Sequence, residues 1–232
     1  METPKGLRDL TPEDMYKRRK VYDNIREVFE SYGFSEILTP VMENFSLFEK
    51  KSGPEIIEQL YAFEDKGGRL IALRPEMTAS VARLFINEFK VSPKPLKWYY
   101  IGNMFRYEEP QKGRYREFWQ AGIELIGADE PISDAEVISV FIDSLKSTGL
   151  EKFTVNIGDR QILDDFAETL GVEDHIQLMR TIDKKDKLTE EEFVSELRDL
   201  GIENEEVSKV LKLTELKGSI EKVTKKAEEI NI

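Results

Sequence analysis

WYYIGNMFRYEEPQKGRYREFWQAGIELIG, residues 98–127, reads as two strands joined by a charged loop, and its polar side is unusual. Side chains alternate across a strand. In the second strand Phe118, Gln120, Gly122 and Glu124 therefore share one face, and Trp119, Ala121, Ile123 and Leu125 share the other. The second set is an ordinary core face. The first is not, because a Gln and a Glu on one side of a strand are costly to bury without partners. By the same alternation Arg106 and Glu108 share a face opposite Phe105 and Tyr107, and Gln111, Lys112, Arg114 and Arg116 fill the loop. A sheet face carrying Arg, Glu, Gln and Glu under a basic loop fits a ligand that is both anionic and amine-bearing.

Composition frames that hairpin. The 232 residues can hold one large domain, or one domain and a smaller one. Forty per cent are hydrophobic and 34% charged, with a mean hydropathy of -0.47, as in a water-soluble globular chain. No run has the length of a membrane span, and METPKGLRDLTPED has no apolar signal core, so no membrane association is expected. Zero cysteines exclude disulfides and thiolate metal sites. The single histidine, His175, cannot form a cluster and reads as a surface helix residue, so no metal site is expected. The expected compartment is the cytoplasm. The net charge of -12 disfavours a general nucleic-acid binder, and residues 151–232 carry -8 of it. Any RNA contact would come from a local basic patch such as residues 112–116.

Around the hairpin the pattern is mixed. Thr11, followed by Pro12, Glu13 and Asp14, marks a helix start, and Met15, Val21, Tyr22, Ile25, Val28, Phe29 and Tyr32 recur at helical spacing until Gly33. The extended FSEILTP follows. YAFED and RLIALRP flank a turn at residues 66–68, and PEMTASVARLFINEF continues as a helix, which puts Glu76 and Thr78 at a strand-to-helix junction. Ser133 with Glu136 predicts a capping box for the next helix, KFTVNI another strand, and Asp159 a further cap. From Gly171 the chain reads as short amphipathic helices in a charged background, with a second capping box at Thr189 and Glu192. The expected fold is α+β: an antiparallel sheet flanked by helices over residues 1–170, then a helical appendage over 171–232. Neither GxxxxGK[ST] nor GxGxxG occurs, so a bound nucleotide would not use a P-loop or a Rossmann turn.

FRYEEPQKGRYREFWQAGIE closely resembles motif 2 of class II aminoacyl-tRNA synthetases in its histidyl-tRNA synthetase form. The helix and strand over residues 12–40 resemble motif 1, the family's dimer element, and LRPEMTA resembles the LRPE-x-TA segment that holds the amino acid. The likeness runs from PKGLRDLTPED to NIGDRQIL near residue 163. It implies ATP-dependent activation of histidine to histidyl-adenylate and transfer to tRNA(His), with Mg2+ on the triphosphate and a homodimer through residues near 12–40. It also implies roles. Arg106 would grip the α-phosphate, Glu108 the adenine amino group, Phe118 the adenine ring, and Arg114 and Arg116 the outer phosphates or the tRNA end. Glu76, Thr78, Gln120 and Glu124 would form the histidine pocket, with Gln111 and Lys112 toward the tRNA. Glu109 stands where many relatives carry a basic residue, and Asn103 where many carry Pro.

No stretch resembles the family's RGLDYYTG segment, motif 3 or an anticodon-binding domain. The expectation is an N-terminal part of such an enzyme that does not make the adenylate by itself. Two alternatives share the pattern: a histidine-binding regulatory subunit of ATP phosphoribosyltransferase, and a non-catalytic interaction domain.

Overall fold

The structure is a computed structural model that describes residues 2–49, 57–172, 174–203 and 205–229. It divides into two compact units, residues 1–154 and 155–232.

In the first unit α1 (Pro12–Ser31) begins as its sequence demands. Thr11 Oγ1 accepts from the Asp14 amide, and the Asp14 carboxylate accepts from the Thr11 amide, a reciprocal capping box with proline in the first turn. The chain then turns into β1 (Ser35–Glu36), which lies parallel to β5 (Leu96–Phe105). β5 and β6 (Glu117–Ile126) form the long antiparallel hairpin, in register from Leu96 opposite Ile126 to Phe105 opposite Glu117. A second sheet has β4 (Leu70–Leu73) between β2 (Met42–Asn44) and β3 (Ala62–Glu64). The short α2 (Phe45–Glu49) follows β2, and α3 (Thr78–Leu84) leaves β4 and runs on into one π-helical turn, Phe85–Phe89. The expected α+β architecture, antiparallel but for β1, is borne out.

The two faces of the hairpin bury different cores. Tyr99 on the back packs with Phe29, Phe34 and Val140, under α1 and α4 (Pro131–Ser147). Trp98, Tyr100 and Met104 on the front pack with Met77 and Val81 of the α3 region. α4 starts earlier than the Ser133–Glu136 box predicts. Pro131 has the backbone angle of a first helical residue, and the Glu136 carboxylate is taken by the Lys97 ammonium instead of the helix start.

The second unit is helical: α5 (Arg160–Thr169), α6 (His175–Lys184), α7 (Glu190–Asp199), α8 (Glu205–Thr214) and α9 (Ile220–Glu229). One expectation changes here. Residues 152–157, read as a strand, join neither sheet: a period-two pattern assigns faces, and a strand forms only where a neighbouring edge offers hydrogen bonds. The two compact units divide between Thr154 and Val155. The Asp159-capped α5 places Phe166 and Ala167 in one core with Leu178, Phe193, Leu197, Val210 and Leu213, so it belongs with the appendage. At the head of α7 the Thr189 and Glu192 capping box forms as read. Thr189→Ala is expected to lower the melting temperature of this unit by roughly 4 to 8 °C, the size of one lost cap in so small a unit; circular dichroism on heating would show it. No described helix is long and apolar enough to cross a membrane.

Candidate active site on the front of the hairpin

The register fixes what shares the front face. Trp98 lies opposite Glu124, Tyr100 opposite Gly122, Gly102 opposite Gln120 and Met104 opposite Phe118. The face assigned to β6 by alternation is thus the observed one, and α3 brings its N-terminal end over it. Glu76 caps that end, its Oε1 accepting from the Ala79 amide at 3.0 Å.

Glu76, Thr78 and Glu124, separated by nearly fifty residues in sequence, meet around the Tyr100 phenol. The Glu124 carboxyl is raised above its ordinary value by burial; the Thr78 hydroxyl pulls it down and the Glu76 charge pushes it further up. Burial, with the charge of Glu124 and then of Glu76, drives Tyr100 up to about 12 against the opposing Thr78 hydroxyl. Tyr100 is thus an uncharged phenol at neutral pH, set between two carboxylates. It reaches them because its cross-strand partner is glycine: a Cβ on residue 122 would stand 2.5 Å from the Tyr100 hydroxyl and ring. On the same face, opposite Gly102, the Gln120 Oε1 is buried and accepts no hydrogen bond from the described residues. A buried acceptor without a donor, on a face that also carries acids, is a place for an ammonium or another N–H cation.

The other end of the face carries the arginine. Arg106 Nε donates to the Pro75 carbonyl at 2.9 Å, and its guanidinium carbon lies 5.1 Å from the centre of the Phe118 ring. Its Nη1 is 3.9 Å from Glu108, too far for a hydrogen bond. Among the described residues the two amino groups of the fork have no hydrogen-bond acceptor, which suits a planar anionic group such as phosphate. Glu108 is also 3.9 Å from Arg114, which is two-thirds exposed.

One expectation about the loop needs correcting. β5 ends at Phe105, so Glu108 is not presented by the pleat; its amide turns back to the Arg106 carbonyl in a tight turn. Arg116, assigned with Arg114 to the phosphates or the tRNA end, is buried. Its Nε donates to the Glu108 carbonyl, its guanidinium stacks 3.8 Å from the Tyr107 ring centre, and its amide donates to the Gly6 carbonyl. The loop's inner wall needs a flat cation that can stack and bond at once, and arginine supplies it. Gln111 and Lys112 are exposed at the loop tip, where Gln111 and Arg114 exchange backbone hydrogen bonds around Gly113, at φ 85°.

Sequence reading missed Tyr100 and Arg74. Tyr100 sits in an aromatic run that reads as core, and only the register against Gly122 shows its hydroxyl among acids. The back of the hairpin holds an apolar recess of about 290 Å3, bordered by Ile25, Phe29, Val140 and Phe141, which contains none of these charged groups. Among the described residues no group of three acidic or histidine side chains could hold a metal ion.

An antiparallel hairpin with an arginine fork and an aromatic ring at one end, and paired acids at the other, is the arrangement that the motif 2 resemblance to class II aminoacyl-tRNA synthetases implies. Comparison with known proteins narrows this. The model of the family described as histidyl-tRNA synthetase matches residues 6–231, and the chain belongs to that family. It is 62% identical over 230 residues to a histidine–tRNA ligase of Pyrococcus horikoshii, covering 99% of this chain and 53% of that protein. Among solved structures it is similar to an ATP phosphoribosyltransferase regulatory subunit/histidyl-tRNA synthetase from Bacillus halodurans, at TM-score 0.84 and 28% identity, covering 98% of this chain and 58% of that one. The apo histidyl-tRNA synthetase of S. aureus matches at TM-score 0.57 and 38% identity, over 65% of this chain and 40% of that one. The chain spans about half the length of the curated relatives it matches.

Proposed function

We propose that this chain forms the motif 1 and motif 2 part of a histidine–tRNA ligase: a class II ligase that activates histidine with ATP and passes it to tRNA(His). The observation that carries this is the meeting of Glu76, Thr78, Tyr100 and Glu124 on the face that also holds the donor-less Gln120 oxygen. Histidine's ammonium and imidazole N–H groups are the donors this recess lacks, with Glu76, Thr78 and Gln120 toward the ammonium and Glu124 toward the imidazole.

Arg106 binds the α-phosphate of ATP. As the histidine carboxylate oxygen attacks the α-phosphorus, the bond to the bridging oxygen breaks, pyrophosphate leaves, and the fork stabilises the charge that builds on the non-bridging oxygens. Phe118 lies under the adenine, Glu108 accepts from its amino group, and Arg114 meets the outer phosphates, with Mg2+ arriving on the nucleotide. Arg116 shapes the loop. The exposed Gln111 and Lys112 face the tRNA end. None of these groups becomes covalently attached to substrate; their work is positioning and electrostatics. A homodimer through residues 12–40 is supported by the exposed Tyr16 of α1 and Leu38 just after β1. A cytoplasmic setting goes with the ligase reading.

The regulatory-subunit reading shares the histidine recess, and the name of the Bacillus halodurans protein joins both functions. The open fork of Arg106 beside Phe118 favours the ligase, since a histidine sensor has no use for a phosphate grip. Calorimetric titration with histidine, with and without Mg-ATP, separates them. The ligase reading expects histidine binding that tightens with Mg-ATP and weakens at least tenfold (about 1.5 kcal/mol) in Gln120→Ala. Binding indifferent to ATP would favour the sensor, and a Gln120→Ala variant that binds normally would remove this face from the site.

A further inference from the structure

Arg74 is the largest fully buried side chain among the described residues, 2% exposed, and neither the histidine recess nor the phosphate grip explains it. Its guanidinium bonds to no carboxylate among the described residues. Nη1 donates to the Thr39 carbonyl at 2.9 Å, Nε to the Asn103 carbonyl at 2.9 Å, and Nη2 to the Asn103 Oδ1 at 3.3 Å. Its backbone repeats the pattern: the amide donates to the Val41 carbonyl at 3.0 Å and the carbonyl accepts from the Phe105 amide at 2.9 Å. Arg74 thus ties residues 39–41 to the end of β5. Burying a cation costs several kcal/mol before any return, and a methionine or leucine would fill the same volume without that cost. What an apolar residue cannot do is hold two carbonyls and an amide oxygen at fixed spacing with one rigid plane.

The spacing matters because Arg74 leads directly into both arms of the site. The next residue, Pro75, supplies the carbonyl that takes Arg106 Nε, and the one after it, Glu76, caps α3 above Glu124. Phe105, held by the Arg74 carbonyl, immediately precedes Arg106. The backbone leading into the phosphate grip is therefore bonded to Arg74 and its side chain to Pro75, while the ammonium-side acid is one residue further on. The protein makes room for this joint: a Cβ on residue 102 would lie 2.7 Å from Arg74 Nη2, and that position is glycine. Asn103 is braced in turn, its Nδ2 donating to Glu117 at 3.0 Å.

We propose that Arg74 is a positioning residue that sets the nucleotide arm, Arg106, against the amino-acid arm, Glu76, so that histidine and ATP are bound at one fixed separation. This rests on the ligase reading of Arg106 and Glu76. Arg74 touches neither ligand.

The test uses this chain and two variants: Arg74→Lys, which keeps the charge and loses the fork, and Gly102→Ala, which keeps the arginine and displaces it. The first readout needs no ligand. The Arg106 Nε–H, bonded to Pro75, gives an arginine side-chain resonance protected from solvent exchange, and both variants are expected to lose that protection. The second is calorimetry well below the melting temperature, where both variants are expected to lose histidine and Mg-ATP affinity together, each by about tenfold or more, as misplaced groups do. Variants that melt earlier but keep the Arg106 protection and both affinities would overturn the proposal and leave Arg74 a core residue. Should the unaltered chain bind neither ligand, the functional reading falls, and the Arg106 resonance still decides the role of Arg74. If Arg74→Lys does not fold, Gly102→Ala carries both readouts.

Discussion

Glu124→Gln is expected to melt at a higher temperature than the unaltered chain at neutral pH while losing histidine affinity by about thirtyfold or more. The two effects share a cause. Burial, reinforced by the Glu76 charge and opposed by the Thr78 hydroxyl, raises the Glu124 carboxyl above its ordinary value of 4.5. Between that value and the raised one the folded chain holds a proton that the unfolded chain has released. This group's contribution to stability is therefore complete below 4.5 and is lost as pH rises through the folded value. Above the raised value the ionised carboxylate costs the fold stability, and the neutral amide does not. The gain in melting temperature should be clear at pH 7 and shrink as the pH is lowered toward 4. In the proposed ligase the same substitution removes the charge assigned to the imidazole, and loss of one partner of a buried charged pair costs about 2 to 5 kcal/mol. Stability gained where function is lost marks a functional strain. Equal histidine binding by the variant, or a lower melting temperature at pH 7, would take Glu124 out of the pocket.

Arg106→Ala is expected to weaken Mg-ATP binding by roughly 10- to 100-fold, from the loss of charge-assisted bonds to phosphate of about 1.5 to 3 kcal/mol. Arg106→Lys should fall between the two, since an ammonium keeps the charge but cannot bond to phosphate and to Pro75 as one planar fork. Titration at low and high salt adds a check, because the difference between chain and variant should narrow as salt screens the phosphates. Unchanged ATP binding in Arg106→Ala would end the phosphate assignment.

Several features were legible in the residues alone because they depend on near neighbours. The Thr11 helix start and the Thr189 capping box are four-residue patterns, and both form. The β6 faces follow from strict alternation, and the register confirms them. The motif 2 stretch carries its family in its own order of residues, as does LRPEMTA. Other readings failed where a distant partner intervened. Glu136 had a local role available as a cap and was taken by Lys97, thirty-nine residues away. Residues 152–157 alternate like a strand and found no edge to pair with. Arg116 looks like its neighbour Arg114, yet one is buried against Tyr107 and Gly6 and the other is exposed.

The sequence by itself determined the starts of α1, α5 and α7, the polar face of the hairpin, the α+β class and the family, since each is written in the order of near neighbours. Tertiary structure alone decided that Tyr100 stands between two acids, that Gly122 makes room for it, and that Arg74 joins the strands carrying both arms of the site. Those are contacts between residues 20 to 50 positions apart, and no local pattern encodes them. They exist because burying the front of the hairpin against α3 brings polar groups out of water together, where each must find a partner or wait for a ligand to supply one.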